Sequence, residues 1–291
     1  MNDRARPGMH MAAWYSGDLD TSATNALTAL TAAADSVLAR SGSTGLVASR
    51  DMEIAAAYAG GSTLTPVPGL KRVRLSAPTL AQVIAPAVRP LAGVTLAGGF
   101  PSPPSDPVLM VLTDHPLPLP AGEALTVLAE AAVDSTIVAA LLFVRERFDP
   151  IPPGPMYVLR GQQPASGATT PTQNVWSPIN IDWDQQLPAG RYAIVWIQYV
   201  AAATANNYPQ AARLVLADQV LRPGAIAQVA VADTPNRQMQ DGVFGLLGTF
   251  ESFAMPTVEV LNLGSAPTTS AEINLGLIRL TDAQGRPCKC S

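Results

Sequence analysis

One stretch, Leu187 to Leu263, limits the possible folds more than any other. Turn formers and short apolar runs alternate through it. Leu187-Pro188-Ala189-Gly190 leads into Arg191 to Val200. The polar break Asn206-Asn207-Tyr208-Pro209 precedes Ala211 to Leu216, and Arg222-Pro223-Gly224 precedes Ala225 to Ala232. Apolar runs this short, bounded by Pro, Gly and Asn, read as strands joined by turns. Pro188-Gly190 and Pro223-Gly224 set the corners. The second fits a type II turn, with Pro and then Gly at its two central positions. Val195, Trp196 and Ile197 are expected to fill an interior.

The same pattern extends towards the N-terminus. About ten to twelve strand candidates follow residue 70. They include Val108 to Thr113, Ala124 to Ala132, Ser135 to Arg145, Met156 to Arg160, Trp176 to Trp183, Gly245 to Ala254, Thr257 to Leu261 and Ala271 to Leu280. Ile137 to Val144 lacks alternation, but its β-branched start after Asp134-Ser135 favours a buried strand over a helix. Even spacing with Pro/Gly turns argues for a sandwich or barrel rather than βαβ units. Leu-Pro-Ala-Gly at 119 and at 187 is the visible internal repeat. It is too short to establish a duplication. Gly161 to Asn174, rich in Gly, Ser, Thr, Pro and Gln, reads as a long exposed loop.

Residues 1–65 read differently. Thr21 to Arg40 is alanine-rich, with Leu27, Leu30, Ala34, Val37 and Leu38 at helical spacing. Thr21 or Ser22 can cap it, and Gly42 follows its end. Asp51 can cap a second helix, Met52 to Ala59, before Gly60-Gly61. This segment is expected to be a helical N-terminal arm, packed on its own β-domain or docked on a neighbouring subunit. Residues 66–106 then hold an edge strand at Lys71 to Leu75, a short helix opening at Ser76-Ala77-Pro78, and a proline-rich connector, Pro101 to Pro107. In that helix Leu80, Val83 and Ile84 share one face. The β body spans 107–285, and 286–291 is a C-terminal tail.

Charged residues make up 14% of the chain, against a usual share of about 25%. A surface so poor in charge suits burial against other subunits better than a free, concentrated monomer. The net charge of −4 argues against a general nucleic-acid binder. The basic cluster Lys71, Arg72, Arg74 and Arg89 reads as a solvated edge that blocks unwanted pairing rather than a nucleic-acid or lipid contact. No apolar run approaches the roughly 20 residues needed to span a bilayer, and the N-terminus leads into no signal-like apolar region. The chain is expected to be soluble and made in the cytoplasm.

Reactive chemistry is sparse. Cys288 and Cys290 sit too close together in the tail for an easy intrachain disulfide. Metal ligation, a cross-link to a neighbour and no role all remain open for them. His10 and His115 show no ligand spacing. Gly242-Val243-Phe244-Gly245 with Gly248 has glycines at suggestive intervals, but a strand-like sequel, Thr249 to Phe253, where a dinucleotide fingerprint needs a helix. Asp182-Trp183-Asp184 places two carboxylates on one face of an extended segment with an aromatic between them. That pattern suits a glycosidase pair or calcium, although Asp at strand ends is mostly turn chemistry. With Glu251, these are the candidates for an enzymatic reading. Trp14-Tyr15, Trp176, Trp183 and Trp196 can form a ligand platform or core. Arg213 and Arg222 can make local carboxylate pairs or cross-subunit contacts.

In its strand-turn spacing across about residues 100 to 285, its neutral loop Gly161 to Asn174, and segments such as Leu187 to Tyr192 and Ala211 to Gly224, the chain resembles the jelly-roll shell proteins of tailless icosahedral viruses. These include the membrane-containing phages of the adenovirus-hexon lineage. The resemblance implies a mainly β fold: a jelly-roll β-sandwich, single elaborated or double, with the helical N-terminal arm. A double roll should repeat halfway through the β region, and no such repeat is visible, so a single elaborated roll fits slightly better. The resemblance also implies trimeric or pseudo-hexameric capsomers and a place in the virion. It implies N-terminal arms that reach neighbours, other virion proteins or an internal membrane.

The resulting expectation is a structural, lattice-forming coat protein. It would have no catalytic residues, no cofactor, no metal and no sequence-specific nucleic-acid partner. The alternative is a carbohydrate- or receptor-binding β-sandwich module, such as a spike or lectin.

Overall fold

A computed structural model describes residues 10–19, 26–33, 38–63, 70–83, 87–88, 94–95, 110–111, 114–131, 136–164, 175–203, 209–217, 224–228, 230–231, 238–240, 245–262 and 268–288. The fold is mainly β, and the one helix among these residues is Pro78–Val83. The strands form two pairs of sheets, each drawn from one half of the chain.

In the first half, one sheet runs in the order Met110–Val111, Met52–Thr63, Thr136–Arg145, His10–Leu19, Thr31–Ala32. The other runs Ala39–Ser41, Gly45–Val47, Ala124–Ala131, Leu70–Ser76, Ala87–Val88. Pairing is antiparallel along both paths. The Tyr15 hydroxyl crosses between the sheets and donates to the Leu125 carbonyl at 2.7 Å. Thr136–Arg145 is the central strand, paired on both edges, and Val138 to Val144 are all buried. A strand covered on both faces reads as a continuous apolar run, which is why alternation is missing there.

The helical arm expected at 1–65 is not what forms. Met52 to Ala59 lies in the strand Met52–Thr63, and the described parts of Thr21 to Arg40 contribute Thr28–Ala29, Thr31–Ala32 and the start of Ala39–Ser41. The alanine content that suggested helices has another use. Ala55, Ala56, Ala57, Ala59, Ala139 and Ala140 are buried where neighbouring strands and sheets come close together. Alanine's helix preference is at most about 1 kcal/mol per residue, and satisfying both backbone edges within a packed sheet outweighs it.

The change of sheets does not fall at the proline-rich connector. Pro101 to Pro107 lies outside the described residues, but strands on either side of it share the same sheets. The change from one pair of sheets to the other falls at 146–155 instead. This proline-rich segment is held in place: Leu246 N donates to the Asp149 carbonyl at 2.8 Å, and Gly245 sits against Asp149 and Phe148. Gly245 has φ +78°, and a Cβ there would strike the Asp149 carbonyl. Lys71 to Leu75 forms part of a strand, Leu70–Ser76, but not an edge strand: it lies between Ala124–Ala131 and the two-residue strand Ala87–Val88, which pairs with it at Val73 and Arg74. Pro78 opens the short helix, though the capping comes from Glu123, whose carboxylate accepts from Thr79 N at 3.0 Å.

In the second half, one sheet runs Asp182–Trp183, Met156–Gln162, Thr268–Arg279, Arg191–Ala203, Ala230–Val231. Gln238–Gln240 and Gly248–Glu251 also pair with Arg191–Ala203. The other sheet runs Ser177–Ile179, Thr257–Asn262, Pro209–Val215, Gly224–Gln228. The turn Leu187 to Gly190 is fixed as a tyrosine corner, with Tyr192 Oη donating to the Pro188 carbonyl at 2.8 Å. The turn at 222–223 lies outside the described residues. Buried apolar residues of both halves form one contiguous core.

Each half also buries a cross-strand Arg–Glu pair under an aromatic ring. Arg145 bonds Glu53 and lies 5.1 Å from the Phe148 ring centroid. Arg213 bonds Glu259 at 2.7 Å and lies 4.2 Å from the Trp176 ring centroid. Arg213 therefore serves a local carboxylate pair. Arg222 lies outside the described residues.

Burial pushes the phenol pKa of Tyr15 and of Tyr199 well above the usual value near 10. The unfolded chain releases these protons near pH 10, whereas the folded chain retains them. Stability from this source is complete below about pH 10 and falls as pH rises beyond it. Tyr199→Phe is expected to flatten that alkaline fall in urea titrations between about pH 9 and 11. An unchanged slope would mean that Tyr199 ionises without unfolding.

Candidate functional site

The candidate site lies on the outer face of the sheet that contains Arg191–Ala203. A β-bulge at Val195 sets it up. Tyr192 and Ile194 point into the main core; the register then slips between Ile194 and Trp196, and Ile197 and Tyr199 return to that core. Without the extra residue, the second pair would face outwards. Val195 and Trp196 are both left on the outer face. Val195 joins Ala193 and Ile278 in a small second cluster, with Trp196, Leu246 and Leu280 packed against it. Trp196 is thus half-buried on the outside, not part of the interior as its strand position suggested.

Trp196 pairs directly with Gly276, and its indole occupies the space a side chain there would fill. Its Nε1 donates to Met156 Sδ at 3.1 Å. From this point the outer face sorts into rows across the strands. Met156 stands beside Ile278, and the next row is Val158, Gly276 and Trp196. Then comes a polar row, Arg160, Asn274 and Gln198, followed by Gln162 and Glu272. Arg160 Nη2 donates to Glu272 Oε2 at 2.6 Å, and Asn274 Nδ2 donates to Glu272 Oε1 and Gln198 Oε1 at 3.0 and 3.2 Å. The face is apolar at one end and polar at the other.

Asp182, Trp183 and Asp184 close the polar end. Gly161 pairs with Trp183 and Gln162 with Asp182. The Trp183 ring lies over Gly161, where a Cβ would collide with it. Asp184 N donates to the Arg160 carbonyl at 2.9 Å, and Asp184 Oδ1 accepts from Arg160 N at 3.2 Å. Gln185 Nε2 donates to the Val158 carbonyl at 2.8 Å. These contacts satisfy the free edge of Met156–Gln162, which otherwise offers unpaired backbone groups to another chain. The Asp184 carboxylate is thus committed to sealing an edge, the bland role open to it from sequence. Asp182 is exposed and shares its face with Gln162.

A groove of about 360 Å³ lies along this seam. Arg160, Gln162 and Gln163 line it on one strand, Asp182, Trp183 and Asp184 on the other, together with Pro164. Gln163 N donates to the Ala271 carbonyl at 2.8 Å, while its buried side-chain Oε1 has no hydrogen-bond partner. Gln162 and Gln163 carried no sequence motif; only the fold brings them to the aspartates.

Glu251 does not join this group. It pairs with Arg191 on the far edge of Arg191–Ala203, four strands from Asp182, or roughly 19 Å across the sheet at about 4.8 Å per strand. A three-carboxylate hydrolase site is not assembled. Among the described residues no group of three or more His, Cys, Asp or Glu converges to hold a metal ion. His115 is exposed in a turn, and His10 opens a strand opposite Arg145. Cys288 N donates to the Leu280 carbonyl, and Cys290 lies outside the described residues. Gly248 opens a strand, so the nearby glycines do not lead into a helix N-terminus. Trp14 is core, Trp176 covers Arg213, and the four tryptophans form no common platform.

No protein-family model matches the chain, and no curated protein matches its sequence.

Because Trp196 occupies the Gly276 side-chain space, Gly276→Ala is expected to displace the indole and cost about 1–3 kcal/mol in urea unfolding. Tryptophan emission should shift to the red. Unchanged stability and emission would contradict the packing described.

Proposed function

We propose that the chain is a structural shell subunit, a non-enzymatic coat protein of jelly-roll type that assembles with copies of itself. The tandem pairs of sheets favour a double roll over a single elaborated one. On this reading the protein would belong to a virion. Its partners there would be its own copies and other virion components.

The observation that carries this reading is the exposed apolar strip on the outer face. Phe148 is 50% exposed, Ile151 37%, Met156 56% and Val158 49%. They follow one another along the pinned segment and into the strand Met156–Gln162. Together they leave on the order of 400 Å² of apolar surface in water, comparable to the largest patch on a typical monomer, which is often functional. A stable interface needs about 800 Å² per partner, and the adjoining polar rows can supply the remainder. Those rows carry both signs of charge, with Arg160 beside Asp182 and Glu272. In a contact between copies, the arginine of one copy meets carboxylates of the next. The scarcity of charge in the chain as a whole points the same way.

A carbohydrate- or receptor-binding module is the second reading. The groove at Asp182 to Asp184 favours it, and it is compatible with a shell role.

Purified protein is expected to run as trimers or larger closed assemblies in size exclusion with light scattering, and as rings or shells in negative stain. Met156→Glu with Val158→Glu should weaken assembly by at least about tenfold in concentration, since each charge must be desolvated at the contact. A monomer at high concentration, or assembly indifferent to the double variant, would overturn the proposal.

A further inference from the structure

The groove between Met156–Gln162 and Asp182–Trp183 has features that edge sealing does not explain. Asp184 and Gln185 already satisfy the neighbouring backbone. Asp182, Gln162 and the Gln163 carboxamide remain, gathered around about 360 Å³ of open space. That volume lies within the range of about 300–1,000 Å³ typical of small-molecule sites. Gln163 is only 8% exposed, and its Oε1 is buried with no hydrogen-bond partner. An unpaired buried amide oxygen is destabilising, a penalty that a donor arriving from the groove would relieve. The terminal torsion of glutamine is soft, so the carboxamide can turn to meet such a donor.

We infer that this groove is a binding site for a neutral polyhydroxylated ligand, a short segment of oligosaccharide. The lining groups decide the class. Asp182 only accepts hydrogen bonds, the Arg160 guanidinium, already bonded to Glu272, only donates, and the Gln162 carboxamide does both. Vicinal sugar hydroxyls, each a donor and an acceptor, match this mixture. An anion would meet two carboxylates. An ammonium group can only donate, so it would leave the Arg160 and Gln162 N–H groups unanswered and face the arginine's charge. An apolar ligand would strand every one of these groups. Trp183 bounds the groove, with its ring packed over Gly161 and against the main core. The inference does not rest on self-assembly, and the two fail separately.

Full-length protein titrated with maltotriose, cellotriose, chitotriose and mannotriose, with spermidine and inorganic phosphate alongside, tests this directly. Tryptophan fluorescence and the side-chain amide NMR signals of Gln162 and Gln163 report occupancy. At least one trisaccharide is expected to give a saturable shift of both amide signals. Asp182→Ala and Gln162→Ala, both surface changes, should each weaken that binding about tenfold or more while leaving the circular dichroism spectrum unchanged. No saturable response to any saccharide, stronger binding of spermidine or phosphate, or binding undiminished in both variants would overturn the inference. Light scattering on the same samples reports assembly independently.

Discussion

The pairing of Arg191–Ala203 with Thr268–Arg279 is the contact on which the second half of the molecule depends. It joins two long strands far apart in sequence and carries a bulge that corrects its own phase. Tyr192, Ile194, Ile197 and Tyr199 on one strand, and Ala271, Ile273, Leu275 and Leu277 on the other, supply much of the core. The same bulge turns Trp196 outwards onto Gly276. That ring then supports Met156 at the apolar end of the outer face. One irregularity in one ladder thus fixes both what is buried and what stands on the outer face.

The outer face is unusual in how its polarity is arranged. Amphipathic strands usually separate polar from apolar residues between the two faces of a sheet. Here a single face divides along the strand direction, from Met156 and Val158 to Arg160 and Gln162. The free strand edge beside it is sealed by Asp184 and Gln185, which closes that edge to backbone pairing.

Much of the β architecture was legible in the sequence because turn chemistry is local. Pro188 to Gly190, the buried run Ile137 to Val144, and the strands Met156 to Arg160 and Ala271 to Leu280 formed where Pro, Gly and apolar periodicity placed them. The N-terminal segment was misread because alanine reports propensity, not surroundings. Met52 to Ala59 has the composition of a helix, and its partners at 110–111, 117–119 and 137–145 make it a strand. The repeat Leu-Pro-Ala-Gly at 119 and 187 was a truer guide than its length suggested, since each copy turns the chain into a long strand of a separate pair of sheets. Asp182 and Asp184 were visible as a pair. Gln162, Gln163 and Arg160 were not, because a cross-strand register joins them to the aspartates. Trp196 was misplaced for the same reason: a bulge leaves no mark in a single strand's sequence.

Hydrogen–deuterium exchange on concentrated, assembled protein and on dilute, dissociated protein is the most direct test of self-association through this face. The expected result is slowed exchange on assembly concentrated in the peptides spanning Phe148 to Gln162, with little change in the buried strand Thr136–Arg145. Protection that appears elsewhere while residues 148–162 exchange equally in both states would contradict it.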